Sequence, residues 1–233
     1  MKKRTAFVGA ILSLYPLVNT LILKTGISLS TTGLMLFVHE KVYAGDYSYY
    51  FNSAFDKTEN GDYYGAIADY TKAIEINPNE AIAYYNRGLA KYYLKDYYGA
   101  VADYTKAIEI NPNDGDTYYN RGLAKYDLKD YEGAISDSTK AIEINTQYVK
   151  AYTIRGLAKH DLEDYYGAIA DYTKAIEIDS SYGLAYSNRG YTKGIGFSDD
   201  EGACDDFKKA ASLGYQYRID WLQTSEAKWC KDM

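Results

Sequence analysis

Apolar residues recur along this chain with a helical period, and the pattern itself comes back in blocks. Within 81–114, Tyr84, Gly88 and Tyr92 fall four apart on one helix. Tyr97, Ala100, Val101, Tyr104, Ala107 and Ile108 then trace the i, i+3, i+4, i+7 stripe of a second. Asp96 stands ahead of the second stripe as an N-cap, and Asn111-Pro112-Asn113 closes it because proline cannot continue a helix. The same phrase is written four times: DYYGAIADYTKAIEIN from Asp62, DYYGAVADYTKAIEIN from Asp96, DYEGAISDSTKAIEIN from Asp130 and DYYGAIADYTKAIEID from Asp164. Each copy starts 34 residues after the last. The pattern predicts an all-α chain of helical hairpins over 47–80, 81–114, 115–148, 149–182 and a longer unit at 183–217. A terminal segment, 218–233, follows with one helix over roughly 218–231 carrying Ile219, Trp221, Leu222, Ala227 and Trp229. A single hairpin cannot bury its own stripe, whereas a row of them shares a continuous core and needs a cap on its last edge.

The amino terminus follows a different pattern. MKKR precedes the apolar run 6–23, and a second apolar stretch runs from Ile27 to Val38. A basic start followed by an apolar run is an export signal. Residues 1–44 are read either as a signal peptide cleaved after Val42-Tyr43-Ala44 or as a retained membrane anchor, since 6–23 approaches spanning length. Both readings place the repeats outside the cytoplasmic membrane, periplasmic or anchored, with membrane contact only through this segment. The net charge is -6, but residues 1–44 hold five bases against one acid, leaving 21 bases and 31 acids beyond them. That acidic balance argues against nucleic acid as a partner. The 29 tyrosines suit surfaces that are half core and half wet.

The spacing of small and aromatic residues resembles the tetratricopeptide repeat (TPR). Its places four, eight, seventeen, twenty, twenty-four, twenty-seven and thirty-two are filled by Tyr84, Gly88, Tyr97, Ala100, Tyr104, Ala107 and Pro112. The first unit supplies Tyr50, Ala54, Tyr63, Ala66, Tyr70, Ala73 and Pro78; the third and fourth supply Tyr118, Gly122, Tyr131, Ala134 and Ala141, and Tyr152, Gly156, Tyr165, Ala168, Tyr172 and Ala175. Ser138 stands where the aromatic of unit three belongs, and Thr146 and Ser180 replace the proline. Unit five carries Gly194-Ile195-Gly196 where its first helix should finish, which predicts a loosened turn. The resemblance covers 47–217 and implies an α-solenoid, a right-handed superhelix of hairpins with a C-terminal capping helix.

It also implies that the first helices line a groove for an extended or helical segment of another protein. The groove places carry Phe51, Asn52 and Phe55; Tyr85, Asn86, Leu89, Tyr92 and Tyr93; Tyr119, Asn120, Leu123 and Tyr126; Lys150, Thr153, Ile154, Leu157 and His160; and Ser187, Asn188 and Tyr191. Asn52, Asn86, Asn120 and Asn188 form a column, interrupted by Ile154, that either follows a peptide main chain or bonds neighbouring helices. A carboxylate clamp is excluded, because its places hold Tyr85, Leu89, Tyr119 and Leu123, and Lys150 alone fits. The other reading of the fold is a structural subunit that docks side-on to a membrane complex or to copies of itself.

Charges form columns as well. Arg87, Arg121, Arg155 and Arg189 take the seventh place, lysines from Lys57 to Lys193 the eleventh, and Asp69, Asp103, Asp137 and Asp171 recur on the second helices. They read as a ladder of helix-to-helix ion pairs, worth about 0–1 kcal/mol each when exposed, or as a polar stripe met by a partner. Catalysis has no assembled site. His160 is the one histidine beyond residue 44, it has no Ser or Cys partner at a motif spacing, and no phosphate loop, metal-ligand spacing or cofactor motif appears. The acid pairs Asp199-Asp200 and Asp205-Asp206 read as solvated acids at a helix start. Cys204 and Cys230, the two cysteines, are expected to pair in an exported protein and staple the cap to the stack.

Overall fold

The computed structural model describes residues 46–232. The repeats lie in one compact unit that begins at Tyr49. The expected leader or anchor at 1–44 lies outside the described residues. Among those described, no helix is long and apolar enough to cross a membrane, and there is no strand.

Helices alternate as first and second members of hairpins. They are α1 (46–59), α2 (Tyr63–Ile76), α3 (Ala81–Tyr93), α4 (Tyr97–Ile110), α5 (Gly115–Asp127), α6 (Tyr131–Ile144), α7 (Val149–Asp161), α8 (Tyr165–Ile178), α9 (Gly183–Phe197) and α10 (Asp200–Ser212). The close-packing places are closed: Ala66, Ala100, Ala134 and Ala168 are fully buried, as are Ala73, Ala141 and Ala175. Tyr70, Tyr104 and Tyr172 bury their rings beneath the first helices, where a Cβ on Gly88 or Gly156 would run into the ring of Tyr104 or Tyr172. In units two and four glycine at the eighth place thus leaves room for the ring at the twenty-fourth, whereas in unit one Ala54 packs with Tyr70 and in unit three Gly122 faces Asp137 and Ser138. Each second helix packs on its own first helix and on that of the next unit, and the first helices also touch one another in succession.

The caps explain a second set of glycines. Asp62, Asp96, Asp130, Asp164 and Asp199 each accept a hydrogen bond from the backbone N–H of the glycine three residues on, at 2.9–3.0 Å. A Cβ on Gly65, Gly99, Gly133 or Gly167 would meet the capping carboxylate itself. The helix-propensity cost of those glycines, about 0.5–1 kcal/mol each, is thus offset by cap geometry. Their role lies in the cap at the hairpin's own turn.

Unit five departs from expectation. Gly194-Ile195-Gly196 do not loosen a turn; α9 runs on through them to Phe197 and ends at Ser198, which takes the left-handed conformation (φ 54°). Gly196 makes this extension feasible, because a side chain there would strike the Tyr165 ring. Asp206 is no solvated acid: it is 4% exposed and paired with Arg189 and Lys193. The terminal segment is not one helix either. It breaks into α11 (Gln216–Leu222) and α12 (Lys228–Lys231). A straight helix over 218–231 would run about 20 Å away from the stack. Instead the chain turns after Trp221, whose carbonyl is taken by both the Thr224 backbone N–H and the Thr224 hydroxyl. The turn buries Ala227 and Cys230 and sets Trp229 edge-on to Trp221, with Trp221 edge-on to Phe207. Cys204 and Cys230 are joined by a disulfide across Cα atoms 5.3 Å apart.

The charge columns are more deeply set than the exposed ladder expected from sequence. Arg121 grips Asp137 with two parallel bonds, 2.8 and 2.6 Å, and Lys125 reaches the same carboxylate at 2.8 Å. Its third nitrogen donates to the Thr105 hydroxyl of the preceding unit at 3.1 Å. Arg87, Arg155 and Arg189 repeat the arrangement with Asp103 and Thr71, Asp171 and Thr139, and Asp206 and Thr173. The carboxylates are 3–4% exposed. Breaking a buried pair leaves an uncompensated charge, so each rung costs far more to lose than an exposed pair would. In the first unit Ser53 and Lys57 serve Asp69 in place of arginine. Burial opposes ionisation of Asp69, but the bonds from Lys57, Ser53 and Lys72 outweigh it and hold the carboxyl below its ordinary range.

Arg121→Glu is expected to destabilise the protein by about 3 kcal/mol or more, read as a lower midpoint in urea-induced unfolding followed by circular dichroism. An unchanged midpoint would mean that this arginine is not structural.

Candidate functional site

The face formed by α1, α3, α5, α7 and α9 carries the residues singled out from the sequence, and neighbouring first helices are tied across it by tyrosine. Asn120 Nδ2 donates to the Tyr85 hydroxyl at 3.0 Å and to the Asp116 carbonyl at 2.9 Å. The Tyr92 hydroxyl donates to Asp127 one unit on, at 2.6 Å, and Tyr126 bonds Asp161 in the same sense. Tyr148 bonds Asp116, and its ring lies 5.2 Å from that of Tyr119. Burial pushes the Tyr119 hydroxyl up to about 12, with Tyr182, Tyr85 and Asp116 adding to it. Burial, and then the Asp127 and Asp161 carboxylates, likewise raise Tyr92 and Tyr126. The Tyr92 and Tyr126 hydroxyls stay protonated and donate to these carboxylates.

The face is half-buried aromatic surface with polar atoms set at the helix-to-helix seams. His160 continues the series: its Nδ1 meets the Thr192 hydroxyl at 2.9 Å, and the Thr192 hydroxyl itself donates to the Asn188 carbonyl. That assigns the proton to His160 Nδ1 and leaves Nε2 as an acceptor. Burial holds the His160 pKa below its ordinary value, against the opposing Asp161 charge. Among the described residues no group of three or more His, Cys, Asp or Glu side chains could hold a metal ion.

Sequence profiles described as tetratricopeptide repeats match residues 81–114, 103–136 and 149–182, and one described as a TPR repeat matches 57–95. The chain belongs to the tetratricopeptide repeat family. No curated protein sequence matches it significantly. Solved structures with the same TPR solenoid include a MamA crystal structure, 27% identical with TM-score 0.64 over 70% of this chain and 95% of that one. MamA 41-end from Desulfovibrio magneticus RS-1 is 22% identical with TM-score 0.69, covering 73% and 96%. YrrB, described as a TPR protein with an unusual peptide-binding site, is 22% identical with TM-score 0.63, covering 75% and 91%.

Within the TPR stack the candidate groove residues differ in what they leave open. Asn52 is exposed; Asn86, Leu89 and Leu123 are half-buried along the face. Tyr85, Tyr92, Tyr119 and Tyr126 are half-buried along the same face. Asn120 spends its amide protons inside the stack, so only its carbonyl can meet a ligand. Asn188 keeps its Nδ2 buried without a partner. Thr153, Ile154 and Ser187 are buried, and so belong to the floor. Ser138 leaves the floor of unit three without the ring its neighbours have, and its hydroxyl is buried and unpaired.

Sequence reasoning missed Asp116, Asp127 and Asp161 as partners of the tyrosines. The available signal was the 35-residue step from Tyr92 to Asp127 and from Tyr126 to Asp161. It also missed Arg218, which comes from the cap.

In a double-mutant cycle, Tyr92→Phe and Asp127→Asn are expected to show a coupling of about 0.5–1 kcal/mol in unfolding free energy, the range of one partly exposed bond. Strictly additive effects would show that the seam bond is not formed in solution.

Proposed function

We propose that the protein is a non-catalytic TPR scaffold whose first-helix face holds an extended or helical segment of a partner protein, outside the cytoplasmic membrane. The observation that carries this reading is the row Tyr85, Tyr92, Tyr119 and Tyr126. These rings are half-buried and interleaved with Asn86 and the Asn120 carbonyl; Tyr85, Tyr92 and Tyr126 are held by bonds to the next unit, and Tyr119 lies against the Tyr148 ring. Fixed tyrosines supply contact area at small entropic cost, and amide groups between them suit the main chain of a peptide. YrrB, of the same fold, is described as having a peptide-binding site. A location beyond the cytoplasmic membrane is supported by the MKKR-led apolar run and by the Cys204–Cys230 disulfide, a bond that reducing compartments disfavour.

One observation favours side-on assembly instead. Tyr64, Tyr98 and Tyr166, equivalent places on three second helices, are 77–79% exposed. Such a column lies off the first-helix face and would serve an edge contact.

Capture of partners from the native compartment separates the two. A variant with Asn86→Ala and Tyr119→Ala is expected to lose at least ten-fold in partner yield while a Tyr98→Ser, Tyr166→Ser variant retains it. Equal retention by the first variant and loss by the second would overturn groove binding in favour of side-on assembly.

A further inference from the structure

Of the five arginines among the described residues, four lie in bidentate pairs with a buried aspartate. Arg218 is the exception. It is 6% exposed, and no carboxylate among the described residues pairs with it. Its Nε donates to the Ser187 hydroxyl at 2.8 Å. The guanidinium carbon lies 3.7 Å from the centre of the Phe207 ring, with Tyr217 and Trp221 at 5.1 and 5.3 Å. Burial pushes its pKa down, opposed only by the hydroxyls of Tyr217, Tyr215 and Tyr191. Next along α9, the Asn188 amide is buried with no hydrogen-bond partner.

A desolvated cation without a counter-charge is unfavourable unless something supplies one. Stacking on Phe207 compensates part of the charge through the ring face, but it uses none of the five N–H donors. One donor serves Ser187, which leaves the Nη edge of the fork. With Phe207 on one face, a planar carboxylate that approaches in the guanidinium plane meets the Nη edge through two parallel bonds. The Ser187 oxygen already accepts from Arg218, so its own proton is available to donate, and Asn188 Nδ2 offers two more. All three side chains present donors. Ser187 and Asn188 hold the same fifth and sixth places as Tyr85 and Asn86, or Tyr119 and Asn120, earlier in the row.

We propose that Arg218, Ser187 and Asn188 form a carboxylate-binding subsite at the C-terminal end of the first-helix face, which receives an acidic side chain or the terminal carboxylate of the bound partner segment. The assignment rests on the proposed role of that face and adds to it the chemistry of one end. It differs from a clamp of lysines and asparagines on successive first helices, because the charge comes from the capping helix.

Both tryptophans of the chain, Trp221 and Trp229, lie in this terminal segment, so tryptophan emission reports on the subsite. The full chain is titrated with three blocked pentapeptides: one neutral and amidated, one ending in a free carboxylate, one amidated with an internal Glu. A saturable change on the order of 1 mM is expected with at least one carboxylate peptide and not with the neutral one. The tighter of the two identifies the source of the carboxylate. Arg218→Met, which keeps the side-chain length and removes the lone charge, is expected to weaken that response at least ten-fold with Tm unchanged or raised. Arg218→Lys, which lacks the fork, should weaken it less. The proposal is overturned by an equal response to the neutral peptide, by no response to either acid, or by a tighter response to inorganic phosphate. A fall in Tm on Arg218→Met with the peptide response intact would make Arg218 a purely structural clasp. Wild-type titration by the Arg218→Met variant, alongside lost capture by the Asn86→Ala, Tyr119→Ala variant, would remove the subsite and leave the groove standing.

Discussion

Each hairpin is fixed to the one before it by a guanidinium that three helices share. Arg121 leaves α5, closes a two-bond grip on Asp137 of α6 and reaches back to Thr105 of α4. An arginine so placed sets the distance within its own hairpin and the offset from the previous one at the same time. The planar fork permits little play in either. Because Arg87, Arg155 and Arg189 repeat it with the corresponding residues, the step between units is the same along the row. The apolar contacts supply the bulk of the stability, and these buried pairs hold the register in which the contacts are made.

Register then determines the surface. With a constant step, Tyr92 arrives beside Asp127 and Tyr126 beside Asp161, and the tyrosines of the first helices stand fixed without any contact to a ligand. Binding a segment on such a face costs little ordering of the face itself. Where the pattern changes, so does the face. Ser138 takes a ring out of the floor of unit three, and Ile154 in the next unit replaces an asparagine with a buried apolar side chain. At the C-terminal end α9 runs two residues longer than its counterparts α3, α5 and α7, and the cap turns back to bury Arg218 against Phe207.

The repeats were legible because their determinants are local and recur. The Asp–Gly caps, the buried alanines and the aromatic at the twenty-fourth place are each decided within one hairpin and written several times over. What was not legible depends on three-dimensional meeting points. The depth of the Arg–Asp pairs follows from the packing of a third helix, which the sequence columns do not display. Why Gly65 and its equivalents are glycine follows from the capping carboxylate that occupies their Cβ position, which only the coordinates display. The end of unit five was misjudged because glycine usually stops helices, whereas Gly196 lets α9 pass over Tyr165. Of the candidate groove residues, the tyrosines fell where the pattern put them on the first helices. The part played by Asn120 was fixed by its bond to Tyr85 across a seam that no single repeat contains.

The most direct test of a register held by shared arginines is to remove one whole unit. Deleting residues 81–114 brings Thr71 to the place of Thr105 and offers it to Arg121, so the remaining units should close the gap. The account predicts a shortened protein that stays helical and unfolds in one cooperative transition, with a denaturant slope reduced in proportion to the lost surface. A shortened chain that loses cooperative unfolding, or loses more helix than the deleted residues carried, would contradict it.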